Sequence, residues 1–570
     1  MRRKKILIHS NFCRAFTGFG KHKKNILRYL HSLDKYDIIE LANGHTYSDP
    51  ALKKMPWKCY GSMPDDRHLL VQISQDPNAQ RQAGYGFFGI DKAINDFRPD
   101  IYLGIEDIWG LTLWNKPWWK TLTPIIWTTL DSLPILPDAF VGAENTDHFY
   151  VWASFAEKAM NSVGATNVKT LHGSIDTSVF HRLSDPQIKH LRNKFGIADS
   201  DFIIGYVFRN QLRKSVPNIL DGFMQFRNQN PSANAKLLLH THWNEGWDIP
   251  RLLEEKSIPR ELVLTTYFCP KCGQYEIKPY YGECQNCRFC GGQKTQNTTN
   301  IRAGVNENQL NDVYNIMDVY CHPFTSGGQE IPIQEAKLCE LITLVTDYSC
   351  GKDHCTGESG GFPLEWAEYR EPGTQFIKAS TYSSSIARQL RKVFNMNKSK
   401  REAMGRKARQ FVIDNYSTEA VGKELEEIFD KIPLVEEEAW IKFQVEQETK
   451  QPVTVYDVLD KDDAGRRLLI AIPHSLADVL FCNSLISNIK KNYPDYNIYF
   501  ATSPQYFGAI DSHPDLHKVI PFHNVFENFL ETEGNAEKEG MFEVAFLPYV
   551  TTQKISCYTH NAKDKISFDL

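Results

Sequence analysis

Five of the thirteen cysteines fall between Cys269 and Cys290. Cys269 and Cys272 form one CxxC knuckle, and Cys284 and Cys287 form a second after eleven intervening residues. Two such knuckles offer four thiolates at the spacing of a tetrahedral structural zinc site. Cys290 is a fifth thiol that could replace one of the four. His240 and His242 lie nearby in sequence but read as structural. The other eight cysteines are scattered and the total is odd, so the expected compartment is reducing, a cytoplasm, rather than one that builds disulfides.

A second group of residues could grip phosphate. Thr17-Gly18-Phe19-Gly20 stands between a first strand and a basic amphipathic helix, where glycines let the backbone approach an anion and a helix N-terminus supplies free N–H groups. Arg209 and Lys214 follow the strand-like run Ile203–Phe208, with Arg213 between them. Cations at the carboxyl end of a parallel strand sit where α/β sheets take ligands, although a solvated basic turn reads the same way. The third group is the loop Thr325–Glu330, with Gly327, Gly328, Gln329 and Glu330, followed by a helix that opens at Pro332 and carries Glu335. A carboxylate there can accept two hydrogen bonds from vicinal sugar hydroxyls. It is also favoured near a helix N-terminus without any ligand.

These groups need a scaffold, and the patterning predicts an α/β one. Short apolar strands are expected at 5–9, 38–41, 100–103, 125–129 and 149–152. A second series is expected at 202–207, 236–240, 262–267, 319–322 and 343–345, with helices between. A tryptophan-rich patch, 109–119, should pack on the first sheet. Residues 433–466 are acidic and weakly patterned, which suggests a linker with one short helix. A third α/β unit starts near Arg467. The 570 residues carry 65 Lys and Arg against 69 Asp and Glu, and 42% are hydrophobic. That balance fits a folded protein and argues against a general polyanion binder. No apolar run reaches the length of a membrane span.

Taken in order, residues from about Lys4 to Lys431 resemble the GT-B glycosyltransferases, in particular the retaining family numbered four. The Thr17–Gly20 turn is similar to that family's N-terminal glycine loop. Ser154-Phe155-Ala156, then Ile175-Asp176-Thr177 with Phe180, resembles its passage into the second domain. Arg209 and Lys214 match its R-x4-K pair, and Pro332-Ile-Gln-Glu335-Ala336 matches the second half of its E-x7-E motif. Three positions depart from the pattern. Gly327 stands where the first Glu falls, Ser174 replaces a glycine, and Leu130 followed by Asp131 occupies a segment that often carries His. The unit after Arg467, with Ile472–Asp478, Lys491–Pro494, Ser503-Pro504 and His513–Asp515, resembles the N-terminal half of heptosyltransferase-type enzymes.

The resemblance implies two Rossmann-like domains facing a cleft, at 1–185 and 186–400, with a zinc-knuckle insertion at 268–300. Helices at 401–432 would cross back, and an accessory half-domain would span 467–570, for acceptor binding or for making a homo-oligomer. It implies sugar transfer from a UDP- or GDP-sugar with retention and without a catalytic metal. Arg209 and Lys214 would stabilise the leaving diphosphate, and Gly18 and Gly20 would contact it from the opposite wall. Glu335 would hold the ribose, and Gly328, Gln329 and Glu330 would position the sugar. Glu330 is a substitute for the missing Glu, and Asp131 is assigned to the acceptor side. The acceptor is expected to be a surface glycan or a hydroxylated nucleic-acid base. The alternative is a nucleotide- or sugar-binding scaffold that has lost turnover with the Glu at 327.

Overall fold

A computed structural model describes residues 2–15, 17–300, 303–449, 458–460, 465–472, 476–527, 532–534 and 539–548. The chain forms two compact units, 1–443 and 444–570.

The first unit holds two parallel sheets. In its N-terminal half the strands are β1 (Lys4–Asn11), β2 (Tyr36–Thr46), β3 (Lys58–Met63), β4 (Ile101–Ile105), β5 (Thr123–Thr128), β6 (His148–Val151) and β7 (Val168–Thr170). They run in the order β3-β2-β1-β4-β5-β6-β7, with every pairing parallel. The reason is legible in β1: Ile6, Leu7 and Ile8 are wholly buried, as a strand covered on both faces requires. The direction of winding reverses between β1 and β4, so their carboxyl ends flank a crevice. Thr17 caps the following helix, Gly18–Ser32, by accepting from the N–H of Gly20 at 3.0 Å. A side chain at Gly20 would meet the Ala15 carbonyl oxygen at 2.6 Å, so this turn admits only glycine.

The C-terminal half is built on β8 (Phe202–Val207), β9 (Ala235–His240), β10 (Val263–Phe268), β11 (Tyr275–Pro279), β12 (Cys284–Gln285), β13 (Gln296–Thr298), β14 (Val319–His322), β15 (Thr343–Thr346) and β16 (Gly361–Leu364). Its main path runs β12-β13-β10-β9-β8-β14-β15-β16, with β11 paired to β10. From β10 to β16 the pairs are parallel, whereas β11, β12 and β13 form an antiparallel ribbon on the β10 edge. This half reverses direction between β8 and β14.

Two terminal segments return to the N-terminal half. In the helix Thr418–Lys431, Val421, Leu425 and Phe429 join Ile432 in one core cluster with Ile6, Ile26 and Leu30. Lys35 pairs with Glu426 and Asp430 at 2.7 and 2.6 Å. Within the segment read as a linker with one short helix, residues 437–449 form a helix whose Trp440 and Phe443 are buried in the cluster containing Tyr102 and Trp118. The tryptophan-rich patch resolves into two 3-10 turns, Ile108–Gly110 and Pro117–Lys120.

The second unit has a four-stranded parallel sheet of Arg466–Ile472, Tyr496–Thr502, Lys518–Pro521 and Val544–Phe546, with the first strand between the second and the fourth. Two helices, Leu476–Asn483 and Ile486–Asn492, stand between its first two strands. Residues 473–475 of the Ile472–Asp478 motif, and everything after 548, lie outside the described residues.

Candidate active site

Residues 212–214 form a 3-10 turn just past β8, and the loop after β14 ends at Glu330, which immediately precedes the helix Ile331–Leu338. Both segments leave the carboxyl ends of the two strands at the point of reversal, so they converge. Glu330 is 3% exposed and its carboxylate is surrounded by cations. Arg213 Nη1 donates to Oε1 at 2.5 Å, and Lys214 Nζ donates to Oε2. His322 lies 3.1 Å from the same oxygen. Burial opposes ionisation of Glu330, but Lys214 and Arg213 outweigh it and hold the carboxyl well below the usual range. Burial pushes Lys214 down to about 8, against the pull of Glu330, so it remains charged at neutral pH. Burial takes His322 to about 4. The neutral ring must therefore present Nε2–H to the carboxylate, which can only accept, and its Nδ1 lies 2.9 Å from the Tyr320 hydroxyl, whose one proton is shared with the Val207 carbonyl at 3.0 Å.

The space beside Gly327 bears on the missing Glu. A Cβ there would lie 2.5 Å from Glu330 Oε1. The Glu330 carboxylate thus fills the volume into which a side chain at 327 would grow. A Cβ on Gly328 would lie 2.4 Å from Thr129 Cβ, so glycine lets this loop touch the N-terminal half. Gln329 exchanges two hydrogen bonds with the Gly173 backbone, at 2.8 and 2.9 Å. Asp131 joins the same seam: its carbonyl accepts from Ser349 Oγ at 2.6 Å. Gly18 faces Ile331 at the start of the helix Ile331–Leu338, 3.7 Å from a notional Cβ.

Glu335 lies one turn into that helix, 5% exposed, and accepts from the Tyr314 hydroxyl at 2.7 Å. Burial raises its carboxyl, and Lys21 and Tyr314 restrain the rise. Arg209 stands apart. It is half-exposed and pairs with Glu245 at 2.7 Å, beyond β9. The structure therefore gathers Lys214, Glu330 and Arg213, and it sets Arg209 on the rim.

A second polar cluster occupies the crevice of the N-terminal half, built from residues too far apart along the chain to form a local motif. Glu106 follows β4, is 1% exposed and accepts at Oε1 from the Asn11 backbone N–H at 2.9 Å, from the Asn11 side chain and from Asn43 Nδ2 at 3.2 Å. Burial lifts its carboxyl to about 7. Next to it, Asp107 accepts from Thr129 Oγ1 at 2.8 Å, and burial raises it too. Asp107, Thr129, Asp131 and Ser132 share a cavity of about 240 Å³ with Trp109 and Phe376.

The cysteine site differs from the expected pairing in one member. The sulfurs of Cys269, Cys272, Cys287 and Cys290 all lie within 4.8 Å of one another. Cys269–Cys290 is 3.8 Å and Cys272–Cys287 is 3.6 Å. A tetrahedral zinc with bonds of about 2.3 Å needs sulfurs about 3.8 Å apart, so this set fits the ion. Cys284 is exposed and hydrogen-bonds Asn297 Oδ1 at 2.9 Å, because as part of β12 it pairs with β13 across the ribbon. The second knuckle is thus Cys287–Cys290. The first knuckle is tied to the helix Glu307–Asn315: Gln309 donates to the Gly273 carbonyl and the Tyr275 hydroxyl to Asp312.

No known family model and no curated protein matches this sequence. Solved structures do match its fold. A glycosyltransferase from Rickettsia africae ESF-5 aligns with a TM-score of 0.53 at 12% identity, covering 76% of this chain and 99% of the other. Sucrose-phosphate synthase from Thermosynechococcus elongatus gives 0.50 at 12%, covering 75% and 99%. Anabaena Alr3699/HepE, solved in complex with UDP and glucose, gives 0.50 at 10%, covering 75% and all of that chain. Among the described residues no helix is long and apolar enough to cross a membrane. The two facing parallel sheets of residues 1–443, with an added cysteine knuckle, are the GT-B fold that these glycosyltransferases share.

Proposed function

We propose that this protein is a glycosyltransferase that moves a sugar from a UDP- or GDP-sugar to an acceptor hydroxyl. The observation that carries the reading is the convergence of Arg213, Lys214 and Glu330 at the strand reversal of the second sheet, with the Glu330 carboxylate in the space beside Gly327. Two fixed cations aimed at one point suit charge developing on a leaving diphosphate, the kind of electrostatic stabilisation that dominates such steps. Lys214 with Arg213 grips the diphosphate, Arg209 adds charge at the rim, and Gly18 admits it from the opposite wall; Gly20, expected beside it, is buried against the Ala15 and Phe12 carbonyls with its N–H held by Thr17, and so shapes the turn instead. Glu335, held by Tyr314, accepts from the ribose. Glu330, Gly328 and Gln329 position the sugar. Retention, with the leaving phosphate taking the acceptor proton, follows from the family-four resemblance. HepE, of the same fold, was crystallised with UDP and glucose, which favours UDP among the donors.

The acceptor side favours a glycan over a nucleic-acid base. The cavity next to Asp131 is lined by two carboxylates, two hydroxyls and the aromatics Trp109 and Phe376, with no Lys or Arg in its lining. Carboxylates accept from sugar hydroxyls and repel phosphates, and an aromatic face suits a sugar ring. Zinc, held by Cys269, Cys272, Cys287 and Cys290, would contribute folding energy and brace the helix Glu307–Asn315. The thiol ligands suit a reducing, cytoplasmic setting.

The test is nucleotide release from UDP-, GDP-, ADP- and CMP-sugars, alone, with glycan extract and with hydroxymethylated DNA. Release with one donor, raised by glycan and abolished in Lys214→Ala, supports the reading. Nucleotide binding with no release under any combination would favour the scaffold alternative.

A further inference from the structure

The N-terminal half carries a second cavity, whose lining includes none of the cleft residues named above. It has a volume of about 430 Å³, within the range of small-molecule sites. Arg14, from the loop after β1, stands at its rim with Lys24, Arg28 and His31 of the helix Gly18–Ser32. The last three are spaced i, i+4 and i+7 and so form one stripe. Met55, Pro56 and Trp57, between β2 and β3, line the rest.

The charge bookkeeping of this segment is uneven. Among the cations of residues 2–35, Arg2, Arg3, Lys21, Lys23 and Lys35 each pair with a carboxylate. Lys4 and Lys5 donate to backbone carbonyls. The side chains of Arg14, Lys24 and Arg28 form no ion pair or hydrogen bond with any described residue, and all three line this cavity. The buried Glu40 carboxylate, which holds the cavity residue Trp57, is already matched. Glu40 is fully buried, paired with Lys23 at 2.8 Å, and accepts the Trp57 indole N–H at 2.7 Å. That bond also turns the polar atom of Trp57 away, leaving the cavity an apolar surface. Three unmatched cations over an apolar floor call for a ligand with an anionic head and an apolar or aromatic body.

We propose that this cavity binds a phosphate or similar oxyanion group carried on an apolar or aromatic body, at a site separate from the donor cleft. The inference does not depend on the glycosyltransferase reading. The probe is octyl phosphate, titrated calorimetrically into the full-length chain at low salt, beside inorganic phosphate, octyl glucoside and vesicles containing an anionic phospholipid. Saturable binding of octyl phosphate is expected, with no competition from UDP. The affinity should fall about tenfold or more in Arg14→Ala/Arg28→Ala, the loss of charged hydrogen bonds, and should also fall with added salt. Octyl glucoside should not bind. Capture by anionic vesicles that the same double variant abolishes would identify a lipid headgroup as the source. Octyl phosphate binding without vesicle capture would identify a soluble ligand. Arg14 and Arg28 are exposed, so the fold should survive, and an unchanged melting curve checks this. Lys24→Glu provides a second test by charge reversal. Binding that the variants leave unchanged would overturn the proposal, as would inorganic phosphate binding as tightly as octyl phosphate, or no binding of any probe.

Discussion

Replacing Glu330 by Ala would leave Lys214 and Arg213 facing each other without a counter-charge. Lys214 is 4% exposed, so water cannot take over. A charge pair at about 2.8 Å and an effective dielectric of about 20 attracts by roughly 6 kcal/mol before desolvation. Truncating one partner of such a buried pair typically costs about 3–5 kcal/mol. The assay is urea unfolding of the full chain, which has two units and so two transitions to separate. The transition of residues 1–443 should move by that amount with its slope unchanged. Pairing the change with a second substitution, Lys214→Met/Glu330→Leu, should recover most of the loss, because an apolar pair of similar size needs no counter-charge. A shift below about 1 kcal/mol for Glu330→Ala would refute the view that this carboxylate balances the two cations.

Other outcomes follow from the same geometry. Gly327→Glu should lower stability and activity, because its Cβ would enter the space of Glu330; Gly327→Glu/Glu330→Gly should recover part of the donor turnover, and a swap no better than the single variant would count against the substitute role. Glu106 has a folded-state value raised to about 7 by burial, so its contribution to stability is full below about pH 4.5 and is lost as pH rises through 7. Glu106→Gln should flatten the fall in stability between about pH 4.5 and 7, measured by thermal melts. Cys290→Ser should abolish zinc uptake in elemental analysis and lower Tm, while Cys284→Ser should do neither; the reverse pattern would return Cys284 to the ligand set.

The sequence made some parts of this site readable and hid others for physical reasons. Strands such as Phe202–Val207 and Val319–His322 are short apolar runs buried on both faces, and their spacing alone located them. Lys214 and Glu330 were readable because each stands at the carboxyl end of such a strand. The R-x4-K resemblance selects Arg209 rather than Arg213, because only the 3-10 turn at 212–214 shows which guanidinium reaches Glu330. The cysteines contain two overlapping CxxC spacings, 284–287 and 287–290, and only the pairing of β12 with β13 chooses between them. The cluster of Asn11, Asn43 and Glu106 joins three strand ends far apart in sequence, so no local pattern marks it.

The return of residues 418–443 into the N-terminal half also affects biosynthesis. Val421, Leu425, Phe429 and Ile432 complete the core begun by Ile6, and Val435 receives a bond from Arg2 and donates one to Asp100. On the ribosome the first 185 residues emerge long before these partners. At about 5–20 residues per second the wait is roughly 12–50 s. During that time the nascent N-terminal half exposes the apolar groove that the helix Thr418–Lys431 will fill. The half made first therefore reaches its final packing last, and a stop codon near residue 400 would release a chain with both parallel sheets encoded and the first left without its closing helix.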